Sequence, residues 1–336
     1  MADRPDNTFS KKSNNGPNYS AKVVDAIPAM KKNFRRNGAD EDAISLGAWR
    51  GMIQRSRKFV LPEKGLFFSE GKGLKEGVYP QRMPFPLVSL EVPYPETATM
   101  AGRGSSSRRH ILCHEAHVER VGEHYSVQNE ASEPNGFFVY IFAFNDAAKA
   151  WVPQPCAAFV RYDTPTAPRN SSTFPGESWM LDHQSIFPFM RVTVLKNLWD
   201  QILLHSGPAA ADQAFASDTA EEVRIAFEFL QVLACRNVRQ VEHEAPKSLN
   251  SRRIRSGKMP IDKFYTLQVG DVMIGRPSGR HEFSGSFKVR EHYRSGHIRR
   301  LSNQTIWVSD TIVAPGSSSG RVVKRYSIPA QEGSRA

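Results

Sequence analysis

Residues 218–236 read Asp-Thr-Ala-Glu-Glu-Val-Arg-Ile-Ala-Phe-Glu-Phe-Leu-Gln-Val-Leu-Ala-Cys-Arg, and this stretch decides the fold. Asp218 and Glu221 stand at the spacing of a capping-box-like helix start. The apolar residues that follow run almost all the way round a helix, and only Arg224, Glu228 and Gln231 form a polar stripe. We therefore predict a helix over residues 219–236 that is buried on most sides and forms the spine of the fold.

Short apolar runs bounded by turn residues precede and follow this helix and indicate strands. The most apolar of them, Phe137–Phe144, comes after a Pro-Asn-Gly turn. Apolar residues at helical spacing predict further helices over residues 40–60 and 192–205. The other predicted strands cover residues 87–92, 111–118, 159–162, 264–274, 286–301, 305–313 and 321–326. This order predicts an α+β fold with a mixed, mainly antiparallel sheet, two central helices and a basic C-terminal β region.

The length and composition of the chain exclude several classes of protein. The 336 residues suit one large domain or two ordinary ones, and 40% of them are hydrophobic. The apolar runs are far shorter than the roughly 20 residues that span a bilayer, so a transmembrane protein is excluded. The polar N-terminus predicts no secretory signal, and three scattered cysteines predict no disulfide framework. We expect a cytoplasmic protein without a membrane partner.

The positive charge is concentrated in one part of the chain. The net charge is +11, and residues 247–325 alone carry 16 Lys and Arg against five Asp and Glu. Residues 1–36 carry eight cations against three acids, so the middle of the chain is acidic. Such clustering is typical of an electrostatic footprint for a polyanion. The alternative is a solvated basic face without a partner.

Changes in composition along the chain predict that it is divided into three regions. Residues 1–38 are polar and carry few apolar side chains, so they are predicted to be a disordered, mobile basic arm. Residues 39–245 form an α+β body. Residues 246–330 form a basic, β-rich C-terminal region packed on that body.

Two basic elements of the C-terminal region are the candidate binding site for nucleic acid. The first is a loop over residues 247–260 that can lie across a phosphate backbone. The second is a pair of strands around residues 289–308, whose arginines can grip phosphate and whose tryptophan can stack on a base. For the second element, the alternative is sheet core with a solvated basic edge. The residues assigned to nucleic-acid binding are Arg252, Arg253, Arg255, Lys258, Arg290, His292, Arg294, His297, Arg299, Arg300 and Trp307.

The motifs in this half of the chain carry a family resemblance. Leu-Ala-Cys-Arg-Asn-Val at 233–238 ends the apolar helix, and Leu-Asn-x-x-Arg-x-x-x-Gly-Lys-x-Pro follows at 249–260. His-x-Arg-x-Gly-His-x-Arg-Arg-Leu at 292–301 then precedes Ile-Trp-Val. In this order the motifs resemble an uncharacterised family of bacteriophage and prophage proteins, over about residues 225–326. The resemblance implies a phage origin and the host bacterial cytoplasm, and it implies no reaction.

A weaker candidate is a metal site, because zinc prefers Cys and His ligands. Cys113, His114, His117 and His124 are its candidate ligands. On a strand, Cys113 and His117 share one face and His114 takes the other, so a site would need ligands from elsewhere. Ordinary strand residues are the alternative. The sequence contains no nucleophile motif, so we assign no catalytic residue and no cofactor, and an enzyme is not expected.

Three functions are compatible with these observations. The chain could be an accessory protein that binds DNA or RNA through its basic C-terminal surface. The same surface could bind an acidic host or phage protein. The metal candidates would instead support a metal-dependent enzyme acting on nucleic acid.

Overall fold

The computed structural model describes residues 18–67, 77–94, 106–121, 124–129, 133–168, 185–186, 189–269, 292–294, 297–301, 304–308 and 311–313. Within these ranges the fold is α+β, as predicted. The predicted strand at 321–326 lies outside them, as does the part of the predicted arm before residue 18. None of the helices in these ranges combines the length and the apolar character that crossing a membrane requires.

Five α-helices lie within the described ranges. They are α1 (Tyr19–Arg36), α2 (Asp40–Arg55), α3 (Lys196–Ser206), α4 (Pro208–Leu233) and α5 (Lys247–Arg255). A single 3₁₀ turn covers Glu63–Gly65. The predicted spine helix is present as α4, but it begins at Pro208 instead of residue 219, so Asp218 and Glu221 lie inside the helix and do not cap it.

The strands come in chain order between and after these helices. They are β1 (Arg57–Val60), β2 (Leu87–Pro93), β3 (Arg108–Val121), β4 (His124–Asn129), β5 (Gly136–Asn145), β6 (Ala150–Pro153), β7 (Cys156–Arg161), β8 (Ala167–Pro168), β9 (Ser185–Ile186), β10 (Met190–Thr193), β11 (Val238–His243), β12 (Phe264–Val269), β13 (His292–Arg294), β14 (His297–Leu301), β15 (Gln304–Val308) and β16 (Thr311–Val313).

Ten strands form one mixed sheet. Its main path runs β10-β7-β5-β3-β2-β1-β12-β11, and β4 and β6 pair with β3 and β5 off this path. Strand β1 runs parallel to β2 and β12, whereas the other pairs in the sheet are antiparallel. The mainly antiparallel sheet is thus confirmed, and both of its described parallel pairs involve β1.

Helices cover both faces of this sheet. On one face α4 packs against the strands, and the rings of Phe59 and Phe229 lie 4.9 Å apart. On the other face α1 and α2 pack against β3 and β5, and the rings of Trp49 and Phe142 lie 5.5 Å apart. Burying both faces explains why β5 is apolar at consecutive positions rather than at alternate ones.

Two buried carboxylates hold the ends of helices that lack a capping side chain of their own. Glu91 of β2 accepts hydrogen bonds from the backbone N–H groups of Tyr19 and Ser20, both at 2.8 Å. Asp42 of α2 accepts bonds from the N–H groups of Asn197 and Leu198. Carboxylates stabilise the positive N-terminal ends of helices, so these contacts fix α1 on the sheet and α3 on α2.

Several predicted boundaries need correction. The predicted arm of residues 1–38 is too long, because Tyr19–Arg36 form a helix that buries Val23, Val24 and Ile27 against the sheet. The predicted loop over residues 247–260 contains helix α5. Strand β12 follows the predicted domain boundary at residue 246 and yet lies inside the main sheet, between β1 and β11.

Candidate nucleic-acid interface

Helix α5 begins after a proline and ends before a glycine. The carbonyl oxygen of Pro246 accepts hydrogen bonds from the N–H groups of Leu249 and Asn250. Gly257 takes a φ of 67°, a left-handed conformation that commonly ends helices. The last turn carries Arg252, Arg253 and Arg255, and cations there are favoured by the helix dipole.

Polar contacts, rather than an apolar face, hold α5 in place. Asn250 donates to the carbonyl of Ile261 at 2.9 Å and accepts from its N–H at 2.7 Å. Arg253 Nη2 lies 2.8 Å from Asp25 Oδ2 of α1, and its Nε donates to the carbonyl of Met259 at 2.6 Å. The other oxygen of Asp25 accepts from the Met259 N–H at 2.9 Å. Arg253 is therefore an internal tether between α5 and α1.

Apart from Arg253, the cations near the C-terminal end of α5 point into solvent. Arg252, Arg255 and Lys258 are exposed. Within the described part of the chain, none of the three makes an ion pair with a carboxylate. A rigid element with three exposed and uncompensated cations can bind successive phosphates without first breaking internal ion pairs.

The second predicted element is a pair of antiparallel strands, as the sequence indicates. His297–Leu301 of β14 pair with Gln304–Val308 of β15, and β13 pairs with β16. Arg299 and Arg300 are exposed, and His297 is half-buried. Arg290 lies outside the described residues, and for His292 and Arg294 the structure describes only their place on β13.

The side chain of Trp307 is partly buried against the hydrophobic core. It faces Ile298 across the two strands, and both side chains pack against the core on the α4 side of the sheet. Its backbone N–H donates to Asn237 Oδ1 at 2.7 Å, and its carbonyl accepts from Asn237 Nδ2 at 2.7 Å. Ile306 is buried. These contacts favour the packing alternative for the apolar residues of this element.

The structure does not bring the two basic elements together. Met259, next to Lys258, packs against the core on the α1 and α2 side, whereas Trp307 packs against the core on the α4 side. Strand β11 starts beside the β14–β15 pair, through a bond from the Arg236 N–H to the Thr305 carbonyl, and ends just before α5. The expected single basic surface is therefore divided between opposite faces of the sheet.

The metal candidates do not converge within the described residues, which contain no group of three or more potential ligands. Burial raises the pKa of the Cys113 thiol to about 12, and the side chain belongs to the α4-side core. His114 lies on the opposite face and stacks on Phe138. His117 Nδ1 bonds to the Glu133 carbonyl at 3.0 Å. For His124 the structure describes only its place on β4.

The residue of α1 that anchors α5, Asp25, was not predicted from the sequence. Asp25 falls in the stretch predicted to be a mobile arm, so it had no apparent partner. The signal that could have found α1 is the apolar set Val23, Val24 and Ile27, which recurs at helical spacing among polar residues.

We expect Asp25→Asn to lower the free energy of unfolding by about 1 to 2 kcal/mol, because Arg253 then lacks its charged partner. Hydrogen exchange should increase in residues 247–260. Asp212→Asn is a suitable control, because it also removes an arginine partner, that of Arg191, but from an exposed pair remote from α5. Unchanged exchange in Asp25→Asn would show that α5 does not depend on this tether.

Comparisons with protein-family models, with curated proteins and with solved structures gave no match for this chain.

Proposed function

We propose that this protein binds nucleic acid, DNA or RNA, through the exposed cations at the C-terminal end of α5. The observation that carries the proposal is the arrangement of Arg252, Arg255 and Lys258. These side chains are exposed, stand close together in sequence, and have no carboxylate partner among the described residues.

The rigidity of this element supports the proposal. Arg253 is buried to a large extent, with 14% of its side chain exposed, and it anchors α5 to Asp25. The backbone that carries its neighbours is thereby held in place, which lowers the backbone entropy lost when they bind phosphates. Phosphate contacts of this kind give affinity without reading base sequence. We therefore expect binding that is largely independent of sequence.

The resemblance to bacteriophage and prophage proteins suggests the setting. We propose that the protein acts in the host bacterial cytoplasm as an accessory factor of a phage. We propose no reaction for the protein, and we propose the phosphate backbone of a nucleic acid as its partner.

Fluorescence anisotropy with labelled single-stranded DNA, the matching duplex and the matching RNA tests this function. With three to five phosphate contacts, affinity should fall about 40-fold to 500-fold for the duplex, and about 20-fold to 130-fold for the single strands, between about 50 and 200 mM salt. An acidic peptide of similar net charge is a useful competitor. Affinity that does not change with salt, or a complex with an acidic protein that survives nuclease treatment, would contradict the proposal.

A further inference from the structure

A second concentration of cations lies between α1 and α2. The two helices enclose an open groove of about 610 Å³ that is lined by Pro28, Lys31, Lys32, Arg35, Arg36, Gly47 and Arg50. No carboxylate belongs to this lining. Among the described residues only Asp40 approaches one of these cations, at 4.0 Å from Arg35 Nε, and both side chains are mostly exposed. Such a pair is weak, so the groove is strongly positive.

A small residue and an unpartnered donor shape the floor of the groove. A Cβ atom at Gly47 would lie 2.9 Å from Lys31 Nζ, so the absence of a side chain lets the Lys31 ammonium lie against α2. The Nε atom of Arg50 is buried and has no hydrogen-bond partner among the described residues. A buried guanidinium donor without an acceptor calls for an anion or for water.

The groove continues toward α5 along both helices. On α1, Lys32 and Arg36 stand seven and eleven residues after Asp25, which binds Arg253. Those spacings return to the same helical face, about 10 and 16 Å further along the axis.

On α2, Gln54 stands seven residues after Gly47, and its Nε2 lies 3.7 Å from Met259 Sδ, beside Lys258. One end of the groove therefore opens next to the exposed cations of α5. The cations of the groove and those of α5 therefore lie along the same side of the α1–α2 pair.

The lining favours a phosphate backbone over a small ligand. Sites for small molecules are mostly apolar and aromatic, with a few polar groups that fix orientation. The lining here contains five cations and no aromatic ring that could stack on a base. An open groove also suits a polymer that enters at one end of the groove and leaves at the other.

We infer that the groove between α1 and α2 is the track for the phosphate backbone of the nucleic acid that α5 binds. This inference rests on the proposed function. The strand extends from Arg252, Arg255 and Lys258 into the groove, where Lys31, Lys32 and Arg36 neutralise further phosphates.

The sharpest test places a carboxylate in the groove without removing a cation. In Gly47→Glu the new side chain meets only the flexible end of Lys31, so it can pair with that ammonium and repel phosphate. Ala214→Glu is the control, because it adds the same charge at an exposed position of α4, on the opposite face of the sheet. Lys32→Gln with Arg36→Gln is a second variant, which changes only exposed side chains.

With labelled single-stranded DNA as the probe, the double glutamine variant should bind about 20-fold more weakly than the natural protein, as expected for two lost phosphate contacts, and Gly47→Glu about five-fold more weakly, because it neutralises Lys31. Ala214→Glu should bind within about two-fold of it, because α4 lies on the other side of the sheet, more than a Debye length from the track. If Gly47→Glu and Ala214→Glu bind equally while changes on α5 still weaken binding, the groove is not the track and the proposed function stands. If the natural protein binds none of the nucleic-acid probes, both proposals fail.

Discussion

Replacing Arg252, Arg255 and Lys258 together by glutamine should weaken binding to DNA and RNA about 100-fold near physiological salt, with no dependence on sequence. Each phosphate contact contributes about five-fold under these conditions, and three contacts are removed. The plot of log affinity against log salt should also become shallower by about 2 to 3. Melting temperature should stay nearly constant, because all three side chains are exposed.

A matched control removes three exposed cations from other elements, Lys149, Lys196 and Arg239. This control loses the same net charge, so it separates a local contact from a general effect of charge. Arg299→Gln with Arg300→Gln tests the β14–β15 pair in the same assay. Equal losses in the α5 variant and the control would contradict an interface at α5.

Replacing His110 by phenylalanine should make the folded protein markedly more resistant to acid. Burial, together with the Lys58 ammonium, lowers the pKa of His110 from 6.5 to about 3. As the pH falls below 6.5, the imidazole is protonated in the unfolded chain but stays neutral in the folded one, so acid destabilises the natural protein. Between pH 6.5 and 4.5 this lowers the stability of the natural protein by about 2 kcal/mol, a loss that the phenylalanine variant does not suffer. Urea unfolding at a series of pH values measures the difference.

Glu222 provides a control, because its effect on stability depends on pH in the opposite direction. Burial raises its pKa to about 7, although Arg109 Nε lies 2.9 Å from its Oε1. The unfolded carboxyl ionises at a lower pH than the folded one, so this group destabilises the protein as the pH rises from about 4.5 to 7. Glu222→Gln should therefore gain stability relative to the natural protein over that window.

Parallel pH profiles for the natural protein and His110→Phe would contradict the assignment of His110 as a neutral buried group.

The elements that bury apolar surface could be predicted from the sequence. Helix α4 and strands β2, β3, β5 and β7 follow directly from local apolar patterns, because burial determines both their sequence and their position. The predicted α2 is five residues too long, because the last residues assigned to it form β1, in which Phe59 is buried. The parallel pairing of β1 with β12 joins distant segments, and no local pattern encodes it.

The elements held by polar contacts could not be predicted in the same way. Helix α5 has no buried side chain, and it depends on Asp25, which is distant in sequence. For the same reason the sequence could not show that α5 and the β14–β15 pair lie on opposite faces. The cations of α1 were visible in the sequence, but their groove also needs Gly47 and Arg50 from α2.

Lysine footprinting by acetylation, with and without bound nucleic acid, tests the interface at α5 most directly. We expect Lys258 and Lys32 to lose reactivity when nucleic acid binds, while Lys149 and Lys196 react as before. If Lys258 stays fully reactive in a saturated complex, α5 does not contact the nucleic acid, and the proposed interface is wrong.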